Sequence, residues 1–153
     1  MGRVTVTRLI NAPIATVFKT ISEIDQFARA LPHIIRVEHL NDLRGTVGAR
    51  FRETRLLNGS EVSTDLEITE LVPNDRVRLV TESHGAFWDS LFTVEPEEGR
   101  TRLTMVMDFR TRGFSIIAMV AMIGGALQRA IEKDMGMVKA YCEGTPRQTT
   151  NAG

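Results

Sequence analysis

The sequence contains a single cysteine, Cys142, among 153 residues. A lone cysteine cannot form a disulfide within the chain, so a hydrophobic core must hold the fold together. A domain of this length buries roughly 70% of the surface that its unfolded chain exposes, which is enough to fold without cross-links. A free thiol near the end of a predicted helix is typical of a reducing compartment, and we expect a cytoplasmic protein.

An excess of charge of either sign is also lacking, because 19 Lys and Arg residues balance 19 Asp and Glu residues. Without a basic cluster, we expect no nucleic-acid partner. The uncharged run 114–127 is shorter than the roughly 20 residues of a transmembrane helix, and the first residues lack the apolar stretch and cleavage site of a signal peptide. The sequence therefore predicts no transmembrane segment.

Motifs for common cofactors and nucleophiles are missing as well. The chain contains no phosphate-binding loop, no dinucleotide fingerprint and no Gly-x-Ser-x-Gly motif. Its three histidines, His33, His39 and His84, are dispersed and lack the spacing of a metal site. We predict no cofactor and no metal, so any catalysis would depend on isolated acids and bases.

A long helical pattern runs from Gly113 to Glu143, near the C-terminal end of the chain. Apolar residues recur there every three or four positions and share one side of a helix. The first half of the pattern is uncharged, whereas the second half carries charges on its other side. A continuous helix would be ~45 Å long and would need an apolar surface to cover its stripe. The stripe consists of Ile116, Val120, Ile123, Leu127, Ile131, Met135 and Val138.

Before this helix, the pattern is typical of strands, with two short helices near the start. Alternation over 3–10 predicts the first strand, and Pro13 and Ser22 mark the expected starts of the two helices. Six further strands follow, divided by turn residues such as Asn58-Gly59, which favours a type I′ hairpin. Their alternation of polar and apolar residues predicts an antiparallel meander with one dry face. These strands are predicted at 34–40, 47–57, 60–71, 76–83, 86–95 and 101–110.

Together these elements predict an α+β fold in which a curved, seven-stranded antiparallel sheet wraps around the C-terminal helix. A twisted sheet of this size tends to curl, and the helix would cover its concave face. We expect one domain over residues 1–145 and a flexible tail over 146–153.

The order of elements resembles the helix-grip fold of the START-like superfamily, also called SRPBCC, and in particular its polyketide cyclase/dehydrase-like group. The resemblance lies in the stretch 10–18 around Asn11-Ala12-Pro13, in Val47-Gly48-Ala49-Arg50-Phe51, and in 92–103 around the last hairpin. It covers roughly residues 3–143. It implies a hydrophobic or amphipathic small-molecule ligand between sheet and helix, with cyclase, aromatase or hydrolase chemistry in some members. These are scaffold motifs, so the resemblance transfers no catalytic residue.

Candidate site residues are those on the surfaces expected to face each other under the helix. If the side of the third strand that carries Glu53 and Arg55 is concave, these residues form a buried acid–base pair; if it is convex, they form a solvated surface pair. The methionines suit either an adaptable pocket or an ordinary core, and Gly124-Gly125 suits close packing, a kink or room for a ligand. The candidate catalytic residues are Glu53 and His84. The candidate ligand-binding residues are Phe51, Glu53, Arg55, Leu66, Trp88, Met105, Met107, Met119, Met122 and Ile123.

Three hypotheses about function follow. The first is a carrier that holds a lipid-like or polyketide-like molecule in a cavity walled by the sheet and by residues 114–127. The second is a cyclase or dehydratase-type enzyme in which a pocket acid or base moves a proton. The third is an accessory protein that docks on a partner or on a quinone-bearing membrane through an exposed apolar patch near Ile116 to Met122. The sequence leaves a homodimer open.

Overall fold

The computed structural model describes residues 2–83, 85–111 and 115–144, with only the backbone for residues 83, 111 and 115–124. The predicted tail at 146–153 and the candidate His84 lie outside these residues. The helices in the described part of the chain are α1 (Ile14–Ser22), α2 (Ile24–Ala30) and α3 (Ser115–Cys142). The strands there are β1 (Gly2–Ile10), β2 (Ile34–His39), β3 (Arg50–Leu57), β4 (Ser60–Val72), β5 (Arg76–Ser83), β6 (Ala86–Glu97) and β7 (Arg100–Thr111).

The strands form one antiparallel sheet in the order β1-β7-β6-β5-β4-β3-β2. Because β1 and β2 occupy opposite edges, α1 and α2 connect the two edges of the sheet. The pairing register shifts between Ile68 and Glu70 in β4 and between Ile34 and Arg36 in β2, and such bulges increase the local twist of a sheet. The predicted seven-stranded helix-grip fold is confirmed.

The β3–β4 hairpin turns at Asn58-Gly59, as predicted. The φ angles of these residues are 51° and 82°, so both lie in the left-handed region that a type I′ turn requires. This turn fixes the register that places Glu53 opposite Thr64 and Phe51 opposite Leu66.

The junction of α1 and α2 differs in detail from the prediction. Pro13 precedes α1 as expected, but Glu23 rather than Ser22 separates the two helices, with an extended backbone at φ −105° and ψ 113°. Its side chain makes no capping hydrogen bond, and Asp25 provides the acidic residue in the first turn of α2. Serine is a favoured N-cap residue, which is why Ser22 was predicted at the start of the second helix. The chain instead needs one extended residue, Glu23, to change direction between the two helices.

Helix α3 has 28 residues and is therefore about 42 Å long. The second half of its predicted stripe is buried, since Ile131, Met135 and Val138 are 5%, 2% and 0% exposed. The side chains of Ile116, Val120 and Ile123, in its first half, lie outside the described residues. This second half is also tied to β1 by hydrogen bonds, with Lys139 Nζ donating to the Leu9 carbonyl at 2.8 Å and Arg8 Nη2 donating to the Glu132 carbonyl at 3.0 Å.

The two faces of the sheet differ in chemistry. The concave face, toward the helices, carries most of the buried apolar side chains of β1 and β3 to β7. The convex face carries cross-strand ion pairs, among them Arg52–Asp65 at 2.6 Å, Arg3–Asp108 at 2.7 Å and Arg78–Asp89 at 2.8 Å. The predicted alternation thus separates a wet face from a dry one.

Candidate functional site

A cavity of about 930 Å³ lies between the concave face, helices α1 and α2, and the second half of α3. Its volume falls near the upper end of the range of ~300–1,000 Å³ for small-molecule sites. Strands β3 to β7 supply one wall, and the helices supply the other. Helix residues that line it include Ile21, Ile24, Phe27, Leu127, Ile131 and Met135.

The wall of the cavity is largely apolar, and three of its aromatic residues, Phe27, Trp88 and Phe92, pack against other rings. Trp88 on β6 stacks on Phe109 of the neighbouring β7, with ring centres 5.2 Å apart. Phe27 of α2 meets Phe92 edge-on at 6.2 Å. Such pairs fix ring orientation and add to the free energy of burial. The wall therefore offers a defined apolar surface to the body of a ligand.

One end of the cavity is charged, and four side chains meet there: Glu53 and Arg55 of β3, Asp134 of α3, and His33, which precedes β2. We call these four residues the charged cluster. Arg55 donates from Nε to Glu53 Oε1 at 2.9 Å and from Nη1 to Asp134 Oδ2 at 2.8 Å. The four side chains are only 10–23% exposed, so the ion pairs are largely withdrawn from water.

Arg55 is the centre of the cluster. Burial works against its charge, but the two carboxylates more than compensate, and the pKa of Arg55 is raised above its ordinary value. Two carboxylates and one guanidinium leave one negative charge among the four side chains, and Lys133, which also lines the cavity, is exposed to solvent. The four side chains of the cluster therefore carry a net negative charge.

His33 is neutral in this arrangement. Its Nε2 lies 3.2 Å from Arg55 Nη1, and because a guanidinium only donates, this contact is a hydrogen bond when Nε2 accepts and the ring proton is on Nδ1. Burial lowers the pKa of His33; Asp134, whose Oδ1 is 3.4 Å from Nε2, opposes this, and Arg55 and Lys133 add to it. Protonation of His33 would turn an acceptor into a donor facing Arg55.

Two polar atoms of the cluster are left for a ligand. The described residues provide no acceptor for Arg55 Nη2, and Glu53 Oε2 receives no hydrogen bond from them. Both residues line the cavity. One donor beside one acceptor suits a hydroxyl group, which can accept from Nη2 and donate to Oε2, or a carbonyl oxygen, which uses Nη2 alone.

The structure brings most of the predicted ligand-binding residues to this cavity. Glu53 and Arg55 lie on the concave side of β3, which decides between the two alternatives left open by the sequence, while Arg52 and Thr54 point to the convex side. The side chains of Met119, Met122 and Ile123 lie outside the described residues, as does the predicted apolar patch near Ile116 to Met122. The predicted residues that line the cavity are Phe51, Glu53, Arg55, Leu66, Trp88, Met105 and Met107.

Helix α3 lines the cavity beyond the predicted wall at 114–127. Its described lining runs from Leu127 to Met135 and includes Lys133 and Asp134, whereas the side chains of residues 115–124 lie outside the described residues, so most of the predicted wall stays a prediction. Of the glycine pair, Gly125 is exposed, and among the described residues a Cβ there would meet only the end of the Arg129 side chain, at 3.2 Å. Close packing against a strand therefore does not explain Gly125.

Sequence reasoning missed Asp134 and His33. Asp134 follows Ile131 by three positions and precedes Val138 by four, so helical periodicity places it on the apolar stripe. A carboxylate on that stripe requires a cationic partner, and Arg55 was the candidate already at hand. His33 offered no comparable signal, because it lies in the short turn between α2 and β2.

No group of three or more His, Cys, Asp and Glu side chains able to hold a metal occurs among the residues described. Helices in the same part of the chain lack the combined length and apolarity of a membrane-crossing segment. Cys142 is half-buried on α3, where burial raises the pKa of its thiol and Thr20 lies 3.5 Å away. Cys142 is therefore a small residue at the boundary of the core.

A long helix held by a curved seven-stranded antiparallel sheet above a cavity defines a helix-grip domain. Residues 1–143 match the family described as polyketide cyclase / dehydrase and lipid transport. The chain belongs to this family, which confirms the resemblance seen in its scaffold motifs. No curated protein sequence matches the chain.

Several solved structures share the fold. The di-domain ARO/CYC protein BexL from the BE-7585A biosynthetic pathway is 20% identical with a TM-score of 0.80; the match covers 95% of this chain but 48% of BexL. TTHA0849 from Thermus thermophilus is 16% identical with a TM-score of 0.74, over 90% of this chain and 94% of that protein. Ara h 8.0201 is 12% identical with a TM-score of 0.74, over 94% and 99%. Identities this low establish a common fold and no more.

Proposed function

We propose that the protein binds a hydrophobic or amphipathic small molecule, lipid-like or polyketide-like, in the cavity between the sheet and α3. The observation that supports this most directly is the division of the cavity into an apolar wall and one charged end with unused polar atoms. The body of the ligand would lie against Phe51, Leu66 and Trp88. Its polar group would lie at Arg55 Nη2 and Glu53 Oε2.

The polar group of this ligand is neutral. A carboxylate would bring a further negative charge beside Glu53 and Asp134, in a site with little water to screen the repulsion. A hydroxyl or carbonyl adds no charge and can still use the free donor of Arg55. The cavity therefore favours a fatty alcohol or a ketone over a fatty acid.

A pair of molecules that differ only in the polar end tests this. Oleyl alcohol and oleic acid are titrated against protein loaded with the neutral fluorophore N-phenylnaphthylamine, and native mass spectrometry establishes stoichiometry. We expect the alcohol to displace the fluorophore at least about tenfold more effectively, equivalent to about 1.4 kcal/mol. Tighter binding of the acid would show that the assignment of a neutral polar group is wrong.

A pair of variants on β7 tests the location. Met107→Trp fills the cavity, and Val106→Trp places the same indole on the opposite, convex side of the strand. We expect the first variant to lose binding and the second to retain it. Equal binding by both variants, or no binding of either molecule to the unmodified protein, would contradict the proposed carrier function.

A second candidate function, a cyclase or dehydratase-type enzyme, is favoured by Glu53 Oε2. Glu53 lines the cavity and its Oε2 has no partner among the described residues, whereas Nε2 of His33 is in contact with Arg55. In such an enzyme, Glu53 would remove a proton from the carbon next to a ligand ketone, the enolate oxygen would accept from Arg55 Nη2, and the proton would return to carbon or leave with water in a dehydration.

Hydrogen exchange separates the enzyme from the carrier. A long-chain methyl ketone is incubated with the protein in D2O, and deuterium incorporation next to the carbonyl is followed by mass spectrometry. An enzyme would accelerate incorporation, and Glu53→Gln would abolish the acceleration while the ketone still bound. Binding without acceleration would leave the carrier as the function.

A further inference from the structure

A second polar region lies on the concave face, away from the charged cluster. Thr81 of β5 is 8% exposed and lines the cavity, and its hydroxyl oxygen is buried without a hydrogen-bond partner among the residues described. A buried hydroxyl that makes no hydrogen bond destabilises the protein, whereas valine has the same shape and avoids this cost. Core packing therefore does not account for a threonine at this position.

The register of the sheet relates Thr81 to the charged cluster. Glu53 pairs with Thr64 on β4, Thr81 pairs with Trp88, and Ser90, two residues beyond Trp88, pairs with Met107. Since Val80 pairs with Glu67, Thr81 lies diagonally from Thr64 and, on its other side, diagonally from Ser90. Thr64, Thr81 and Ser90 thus form a diagonal line of hydroxyl groups that begins at Glu53, and all three line the cavity.

The spacing of this line sets a length. Directly paired residues are about 5 Å apart and diagonal neighbours about 7–8 Å apart, so Thr81 lies roughly 12 Å from Glu53 along the wall. The residues that flank the line, Leu66, Leu79 and Trp88, are apolar. A ligand that reaches from the cluster to Thr81 would cross an apolar surface before it met a second polar position.

We propose that Thr81 is a specificity-determining residue that forms a hydrogen bond with a second oxygen of the ligand. The ligand is then an elongated, neutral molecule with one oxygen function at Arg55 and another, a hydroxyl or carbonyl, in its middle. Rotation about χ1 between staggered positions can turn the Thr81 hydroxyl toward such an oxygen. This inference rests on the proposed carrier function and adds the chemical class of its ligand.

Two alcohols test the inference. Ricinoleyl alcohol and oleyl alcohol differ only by a hydroxyl group in the middle of the chain, and the affinity of each is measured by displacement of N-phenylnaphthylamine. We expect the unmodified protein to bind ricinoleyl alcohol about fivefold more tightly, which corresponds to one net hydrogen bond. Thr81→Val should remove this preference.

Two further variants serve as controls. Thr81→Ser keeps the hydroxyl group and should keep the preference, whereas Thr93→Val removes a hydroxyl from the convex side of β6 and should change nothing. If oleyl alcohol binds but the preference is absent, or persists in Thr81→Val, the role of Thr81 is overturned while the carrier function stands. If neither alcohol binds to the unmodified protein, both are overturned.

Discussion

Arg52 and Arg55 lie three residues apart on β3, but on opposite faces of the sheet. Each forms short ion pairs with carboxylates. Arg52 Nε lies 2.6 Å from Asp65 Oδ1, Arg55 Nε lies 2.9 Å from Glu53 Oε1, and Arg55 Nη1 lies 2.8 Å from Asp134 Oδ2. The surroundings differ, because Asp65 is 43% exposed at its side chain and Glu53 only 10%. The same ion-pair chemistry therefore occurs once in water and once in a largely apolar cavity.

This difference matters for what each pair contributes. On the convex face, water screens both partners, so little is gained by pairing and little is lost when a pair breaks. On the concave face, desolvation makes each charge depend on the others, although the set as a whole need not stabilise the fold. A costly set of charges in a cavity is better explained by a ligand than by folding.

The largest expected effect is the loss of Arg55. Arg55→Met leaves Glu53 and Asp134 buried without a cation, and we expect the free energy of unfolding to fall by about 3–5 kcal/mol. Arg52→Met, the matched change on the convex face, should cost far less, because water screens both partners of that ion pair. Urea denaturation of both variants measures the two values, and similar losses would show that the two faces do not differ as proposed.

A smaller effect is expected when the whole set of charges is removed together. The triple variant Glu53→Met, Arg55→Met, Asp134→Leu replaces the ion pairs with apolar side chains of similar size, and such replacements are often neutral or stabilising. We expect its free energy of unfolding to lie within about 2 kcal/mol of that of the unmodified protein and well above that of Arg55→Met alone. It should also lose the preference for oleyl alcohol over oleic acid. A triple variant as unstable as Arg55→Met would mean that the cluster serves the fold.

The two faces of β3 also show how much of the site could be predicted from the sequence. Alternation showed that Glu53 and Arg55 share one side and that Arg50 and Arg52 share the other, because side chains alternate along any strand. It could not show which side is concave, since both are polar at these positions. That choice depends on which side packs against α1, α2 and α3, and these contacts are distant in sequence.

Long elements were predicted best and long-range contacts least. The seven strands and α3 followed from periodicity and turn residues such as Asn58-Gly59, which act locally. The contact of Asp134 with Arg55 joins residues 79 positions apart and depends on how α3 lies over the sheet. His33 enters the cluster only because the turn after α2 brings it under the same helix. Neither of these two contacts can be predicted from a local sequence pattern.

The smallest effect concerns pH, because ion pairs on the two faces of the sheet respond to acid in different pH ranges. Unfolded His33 has an ordinary pKa of about 6.5, and in the folded protein burial lowers it, while Asp134 and Glu53 oppose burial and Arg55 and Lys133 assist it. At pH values between the pKa of His33 in the folded protein and that in the unfolded protein, the unfolded state binds more protons. The free energy of unfolding therefore rises with pH in this range. Acidification from about pH 7 to about pH 5 should therefore destabilise the protein, and His33→Asn should weaken this dependence.

The convex face should respond only in stronger acid. Hydrogen bonds from Arg52 and Arg3 lower the pKa values of Asp65 and Asp108. The stability that these two ion pairs provide is therefore present above the pKa of an aspartate in the unfolded chain, about 3.9, and is lost as the pH falls below it. Thermal unfolding of the unmodified protein, His33→Asn and Asp65→Asn across this range would test the separation. Since the lowered pKa values of Asp65 and Asp108 keep both ionised above about pH 5, a slope there that persists in His33→Asn but disappears in Asp65→Asn would contradict the comparison of the two faces.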